Sequence, residues 1–191
     1  MGRTYRRYRR RHFRRPRSYT WQSYNNLRGD VTMIPGSTLK GSLGTLVPGV
    51  GPPGSSVRAF DAPHVLERMR GSAFHYANGP TNAVVELQVA ALRVPSEFAS
   101  LMASQTAQDD LIDIEDNLEG DDYLWYSSYF CGDRITEPNV HQVDNRAKRK
   151  FDVGDVLAFF YKAFYANPTT GTGNLTLQVG LNLRVLWQLK T

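Results

Sequence analysis

A single cysteine, Cys131, stands in 191 residues. A lone thiol excludes an internal disulfide and points to a reducing compartment, so stability has to come from packing or assembly. No apolar run approaches the roughly 20 residues that span a bilayer, which argues against membrane insertion. The N-terminal arginines are not followed by an apolar segment, as a secretory signal would require. The same stretch has no leucine and no apolar stripe at helical spacing, which sets it apart from a mitochondrial presequence.

Motifs that carry chemistry are missing too. The four histidines, His12, His64, His75 and His141, show no metal spacing such as CxxC or HExxH. There is no GxSxG or GxxxxGK[ST]. Gly49-Val50-Gly51-Pro52-Pro53-Gly54 has the spacing of GxGxxG, but it sits in a Gly/Pro-rich stretch without the following helix that a phosphate-binding turn needs. Cys131 and His141 are a conceivable nucleophile and base, yet closeness in sequence says little about pairing in space. His64 and His75 flank an expected strand, where packing is the ordinary role. The expectation is a protein that is not an enzyme and has no cofactor and no bound metal.

What is present is concentrated at one end. Nine of the first seventeen residues are arginine: Arg3, Arg6, Arg7, Arg9, Arg10, Arg11, Arg14, Arg15 and Arg17. None is acidic, and Tyr5, Tyr8, His12 and Phe13 are spaced among them. Like charges repel and there is little apolar surface to bury, so residues 1–18 are expected to be a disordered arm. The whole chain has 23 Lys+Arg and 18 Asp+Glu, a net of +5. Removing the nine arm arginines leaves 14 bases against 18 acids, or −4, for the rest. A cationic arm on a mildly acidic body is the asymmetry expected when one end meets nucleic acid or another polyanion. Arginine forks match phosphate and stay charged at every relevant pH, and interleaved aromatics favour unpaired bases.

Residues 19–191 suit one globular domain, with 41% hydrophobic and 12% aromatic residues. Residues 18–35 read as a connector and then a strand around Val31, Met33 and Ile34. Their aromatics, Tyr19, Trp21 and Tyr24, either stack on bases or pack the start of the domain. Residues 35–56 hold fourteen Gly, Pro or Ser among 22, which forbids helix, disfavours a central strand and reads as a long loop. Residues 64–76 alternate partially, with Gly71 suggesting a bulge or bend. A turn cluster around Asn78-Gly79 leads to a second strand over residues 83–94, and the two read as an antiparallel hairpin.

Ser96 opens a candidate short helix continuing through Phe98, Leu101 and Met102. Residues 109–122 carry eight acids and no base. They read as a second short helix or an exposed loop. A solvated acidic surface, a calcium site without the EF-hand pattern and a partner-facing patch remain alternatives. Residues 123–131 are rich in strand formers. Arg146, Lys148, Arg149 and Lys150 form a second basic cluster, either a solvated edge strand or a surface facing the polyanion. Residues 153–166 are apolar on both faces, as in a strand buried on both sides.

The clearest signal is the last stretch. Leu175, Leu177, Val179, Leu181, Leu183, Val185, Trp187 and Leu189 occupy every second position, with only Leu186 out of step. Period two over fifteen residues means a long strand with one face on a core, bent most naturally at Gly180. The sum is six to eight mostly antiparallel strands with one or two short inserted helices. A domain of this size with long loops fits a single jelly-roll β-sandwich better than an immunoglobulin sandwich.

The arm (RTYRRYRRRHFRRPRSY), the run Leu66-Glu67-Arg68-Met69-Arg70-Gly71 and the run Asp144-Asn145-Arg146-Ala147-Lys148-Arg149-Lys150-Phe151 with Gly154-Asp155-Val156-Leu157 carry a resemblance. Together with the alternating last strand, they resemble the capsid proteins of circovirus-like viruses, which have circular single-stranded DNA genomes. The chain departs from that group in its shortness and in the Gly/Pro-rich residues 35–56. The resemblance implies a jelly roll assembled as about sixty copies into the smallest (T=1) icosahedral shell, with arms inside and loops outside. It implies a single-stranded DNA partner held by the arm and by Arg146, Lys148, Arg149 and Lys150. It also implies a nuclear-import receptor reading Arg6–Arg15, and a location in the virion and in the host nucleus during assembly. A coat for a small satellite-type RNA virus has the same physics, and a non-viral nucleic-acid-binding protein with a basic tail is a further alternative.

Overall fold

The computed structural model describes residues 19–34, 38–49, 58–78, 85–99, 122–131, 139–146, 148–165 and 174–190. The described residues form nine strands: β1 (Tyr19–Met33), β2 (Thr38–Leu46), β3 (His64–Asn78), β4 (Val85–Val94), β5 (Tyr123–Cys131), β6 (Asn139–Asn145), β7 (Arg149–Phe151), β8 (Val156–Tyr165) and β9 (Leu175–Leu189). All strand pairings are antiparallel, and they nest. β1 pairs with β9, β2 with β8, β3 with β6 and β7, and β4 with β5. Two further pairings, β3 with β9 and β4 with β8, join these into two sheets. The orders are β1-β9-β3-β6 with β7 beside β3, and β2-β8-β4-β5. Successive strands alternate between sheets through most of the chain, which is the wrapping of a jelly roll. The fold is all-β, as the patterning predicts.

β9 is the clearest case of sequence dictating structure. Its odd-numbered side chains from Leu175 to Trp187 are buried, at 2% exposure or less, while Thr176, Gln178 and Arg184 face solvent. Leu189 sits at the end of the strand and is 42% exposed, so the buried stripe stops one step short of the expected limit. Register runs unbroken through Gly180, where Phe74 of β3 lies over the glycine and occupies the space of a side chain. Gly180 is therefore a seat for Phe74, and no irregularity of pairing falls there. Irregularities fall instead at Glu67 of β3 and at Asn25-Asn26 of β1, where the partner register shifts.

The core fills the space between the sheets. Phe60 stacks on Phe151 at 4.6 Å between centroids, and Trp187 meets both edge-on. The Trp187 indole donates to the Tyr24 hydroxyl at 3.4 Å, and that hydroxyl donates to the Val47 carbonyl at 3.0 Å. Burial pushes the Tyr24 phenol up to about 12. β8 is buried on both faces, as predicted. Leu157, Phe159, Tyr161 and Ala163 join the main core, while Val156, Ala158 and Phe160 pack outward with Leu92 and Val94 against Phe98, Ala99 and Tyr123.

Three expectations are corrected. The strand expected near Val31 begins at Tyr19, so residues 19–26 are sheet and not connector. Residues 38–46 are an edge strand and not a loop. Their glycines have specific uses. The Tyr161 ring lies across Gly41, its register partner, where any side chain would collide. Gly44 takes φ 125° at a bulge that leaves Leu43 without a register partner, and the Ser42 hydroxyl accepts from the Gly44 amide at 3.1 Å. That backbone conformation favours glycine. Finally, β3 and β4 are not a hairpin. They lie in opposite sheets, β3 paired with β9 along its length and β4 with β8, so distant partners take the edges a hairpin would have used.

The helical expectation after Ser96 begins in a turn over Ser96–Phe98. The remainder of it, the acidic stretch before Asp122 and the Asn78-Gly79 turn lie outside the described residues.

Candidate nucleic-acid interface

The nine arm arginines, Arg3 to Arg17, lie outside the described residues. The second predicted cluster lies at the β6–β7 edge of the first sheet. Arg146 follows β6, Lys148 precedes β7, and Arg149 and Lys150 are in β7. Register places Arg149 opposite Leu66 and Lys150 opposite Val65. Lys148 and Lys150 are exposed and Arg149 is half-buried, which matches the alternation expected of a strand.

These cations come with carboxylates. Lys148 donates to Glu67 at 2.7 Å and Lys150 to Asp152 at 2.7 Å. Arg146 lies 3.7 Å from Asp144, which is already held bidentately by Arg68 at 3.0 and 2.7 Å. The hydrogen bond from Arg68 holds the Asp144 carboxyl below the usual carboxylate range, and that from Lys150 does the same for Asp152. The pairs to Asp144 and Asp152 are solvent-exposed and weak, Glu67 beneath Lys148 is largely buried, and locally the charge is nearly balanced. The cluster offers a polyanion less than its sequence suggests.

A different surface concentrates positive charge. Cross-strand partners share a face, so register lays out the solvent side of the first sheet. β1 contributes Tyr19, Trp21, Arg28 and Asp30, β9 contributes Asn182 and Arg184, β3 contributes Arg68, Arg70, Phe74 and Tyr76, and β6 contributes Asp144, so four arginines share the face with two carboxylates. Arg70 and Arg184 are direct cross-strand partners. Both guanidinium groups lie over the Trp21 ring, at 4.7 and 5.5 Å from its centroid. Arg28 lies 5.7 Å from the Phe74 centroid on the same face. The two readings of the early aromatics thus divide by residue. Tyr24 packs the core at 1% exposure, while Trp21 and Tyr19 are 39% and 48% exposed.

The described histidines, His64, His75 and His141, are packed. His75, Tyr129 and His141 form a column joining the two sheets, with centroids 5.2 Å apart for His75–His141 and 3.8 Å for Tyr129–His141. Both nitrogens of the buried His75 ring lack a hydrogen-bond partner. Desolvation, with His141 adding to it, holds His75 down to about 4. Burial also lowers His141 and raises the Tyr129 phenol. The His64 ring lies 2.8 Å from the Ala62 carbonyl through Nδ1. Among the described residues no group of three or more His, Cys, Asp or Glu is placed to hold a metal ion. No helix of the described residues is long and apolar enough to cross a membrane. Of the acidic stretch only Asp122 is described, and it is buried 3.6 Å from Arg93.

The Trp21, Arg70 and Arg184 grouping was not a predicted site. Outward arginines on strands were visible in the sequence, but which strands lie side by side was not.

No family model and no curated protein matches the chain. Among solved structures, a chain titled desmodium yellow mottle tymovirus aligns over 92% of each chain at 14% identity with a TM-score of 0.26. Likeness at that level carries no argument about this chain.

Proposed function

We propose that this chain is a viral coat protein that assembles into a small closed shell and packages a single-stranded genome through its Arg-rich arm. The observation that carries the reading is the nested jelly-roll pairing with the arm leading directly into edge strand β1. A two-sheet brick with a cationic tether at one edge is suited to enclosing what the tether holds. Nine arginines per chain displace counterions, so binding is strong, indifferent to sequence and sensitive to salt. Sixty copies would bring roughly 540 positive charges inward, a large share of what a genome of order a thousand nucleotides needs.

The resemblance to circovirus-like capsid proteins favours DNA, a T=1 shell, recognition of the arm by a nuclear-import receptor, and passage through the host nucleus. A satellite-type RNA coat shares every physical element of the argument. No reaction is proposed. Electron microscopy of the purified protein tests the class: uniform closed particles are expected, and a subunit that stays single at every concentration and salt overturns the reading. Nuclease digestion of the particle contents then decides between DNA and RNA.

A further inference from the structure

We propose that the solvent face of the first sheet is a second nucleic-acid site, a base-stacking track that reads unpaired nucleotides independently of the arm. It rests on the coat-protein reading only for its context.

Arg70 and Arg184 face each other directly across β3 and β9. Like charges directly opposite on a sheet are unfavourable. Among the described residues neither arginine forms an ion pair: Asp144, the register partner of Arg70 on β6, feels its charge but is bound by Arg68 and Arg146. Sharing the Trp21 ring offsets some of the repulsion but supplies no negative charge. An anionic ligand would complete the site. Trp21 is 39% exposed, so a base can stack only on the part of the ring the guanidinium groups leave open, with those groups beside it to meet the adjoining phosphates.

The unit repeats. Arg28 and Phe74 form a second aromatic–arginine pair, both register partners of Gly180. Trp21 is the register partner of Leu186, six residues away along β9. At about 3.3 Å per residue the two units stand about 20 Å apart on one face. A linear polyanion carrying bases fits such a track. Duplex nucleic acid does not, because its base faces are already stacked on each other. Continuity points the same way, since Arg17 precedes Trp21 by four residues and four residues reach at most about 14 Å.

The test uses the full-length protein stripped of nucleic acid in about 1 M salt and returned to about 0.15 M. It is titrated with a 20-residue oligothymidylate and with inorganic polyphosphate of matched charge, tryptophan emission reporting contact with Trp21 and isothermal calorimetry the affinity of each polyanion. Trp187 is buried and Trp125 half-buried, so quenching reports mainly on Trp21, and Trp21→Phe identifies its share. The expected result is Trp21 quenching by the oligonucleotide alone and about tenfold tighter binding than polyphosphate, the size of one stacked base. Trp21→Leu should abolish that preference while leaving polyphosphate affinity unchanged. Arg70→Lys with Arg184→Lys keeps the charge and should also weaken the preference, because ammonium groups do not stack.

Equal binding of the two polyanions, or a preference that survives in Trp21→Leu, overturns the track and leaves the coat reading standing. An emission shift on vesicles of anionic lipid without a response to oligonucleotide also overturns it, in favour of a membrane surface. Binding of neither polyanion overturns both the track and the arm-based reading. A variant with all nine arm arginines changed to glutamine should still show Trp21 quenching at high oligonucleotide concentration.

Discussion

Asp155, in the turn before β8, accepts a hydrogen bond from Arg93 Nε at 2.9 Å, although the two residues are 62 positions apart. The same carboxylate accepts from the Asp152 amide at 2.9 Å and the Ser96 amide at 3.2 Å. It is only 3% exposed. One side chain thus ties the β7–β8 turn to β4 and to the segment that leaves it. Asp155→Ala would strand three donors and is expected to cost about 3 kcal/mol, read as a lower urea midpoint. Asp152→Ala, whose partner Lys150 is exposed, is expected to cost less than about 1 kcal/mol.

The His75 column makes stability depend on pH. Its folded-state value of about 4 lies below the ordinary 6.5, so the unfolded chain binds the proton more readily. Stability contributed by neutral His75 is then complete above about pH 6.5 and lost as pH falls toward 4. His141, also lowered, adds in the same direction. Urea unfolding between pH 7.5 and 4 should show this decline, and His75→Phe should flatten it. An unchanged slope in His75→Phe would place the effect elsewhere.

Two glycines should respond differently to a methyl group. At Gly71 a Cβ would strike the Asn182 carbonyl oxygen and the Leu183 Cα, which are backbone of the central strand β9. At Gly180 it would strike only the Phe74 ring. Gly71→Ala is expected to leave little soluble protein. Gly180→Ala should be destabilised by about 1–3 kcal/mol and largely rescued by Phe74→Leu, because a side chain can yield where a strand cannot. Thermal denaturation of the single and double variants checks this.

Genome binding should follow the arm. With nine arm charges, log affinity for single-stranded DNA should fall with log salt at a slope of about −6. Neutralising Arg146, Lys148, Arg149 and Lys150 together should change that slope by less than about 1, since three of them already face carboxylates. Fluorescence anisotropy of a labelled oligonucleotide over a salt series measures both.

Legibility in the sequence followed the range of the interaction that decides each feature. β9 and β8 are visible in the chain because a period of two, or burial on both faces, is written into consecutive residues, and β5 because strand-forming residues crowd 123–131. β2 is not, because its glycines are explained by Tyr161, which lies 120 residues away in sequence from Gly41. The mistaken β3–β4 hairpin arose from weighing a local turn above distant partners. The Trp21, Arg70 and Arg184 grouping needs three strands placed side by side, and no local pattern encodes that. The late basic run was legible as charge, but its carboxylates Glu67, Asp144 and Asp152 become partners only once β3, β6 and β7 align.

β9 lies between β1 and β3, yet the ribosome makes it after both. About a hundred residues separate the end of β3 from the start of β9, a delay of roughly 5–20 s at ordinary synthesis rates. Through that interval two long strands wait with unpaired edges, in a chain whose cationic end has already emerged. The nascent chain is therefore most prone to sticking to its neighbours before it is complete, and the order of synthesis favours whatever can shield those edges until the middle strand arrives.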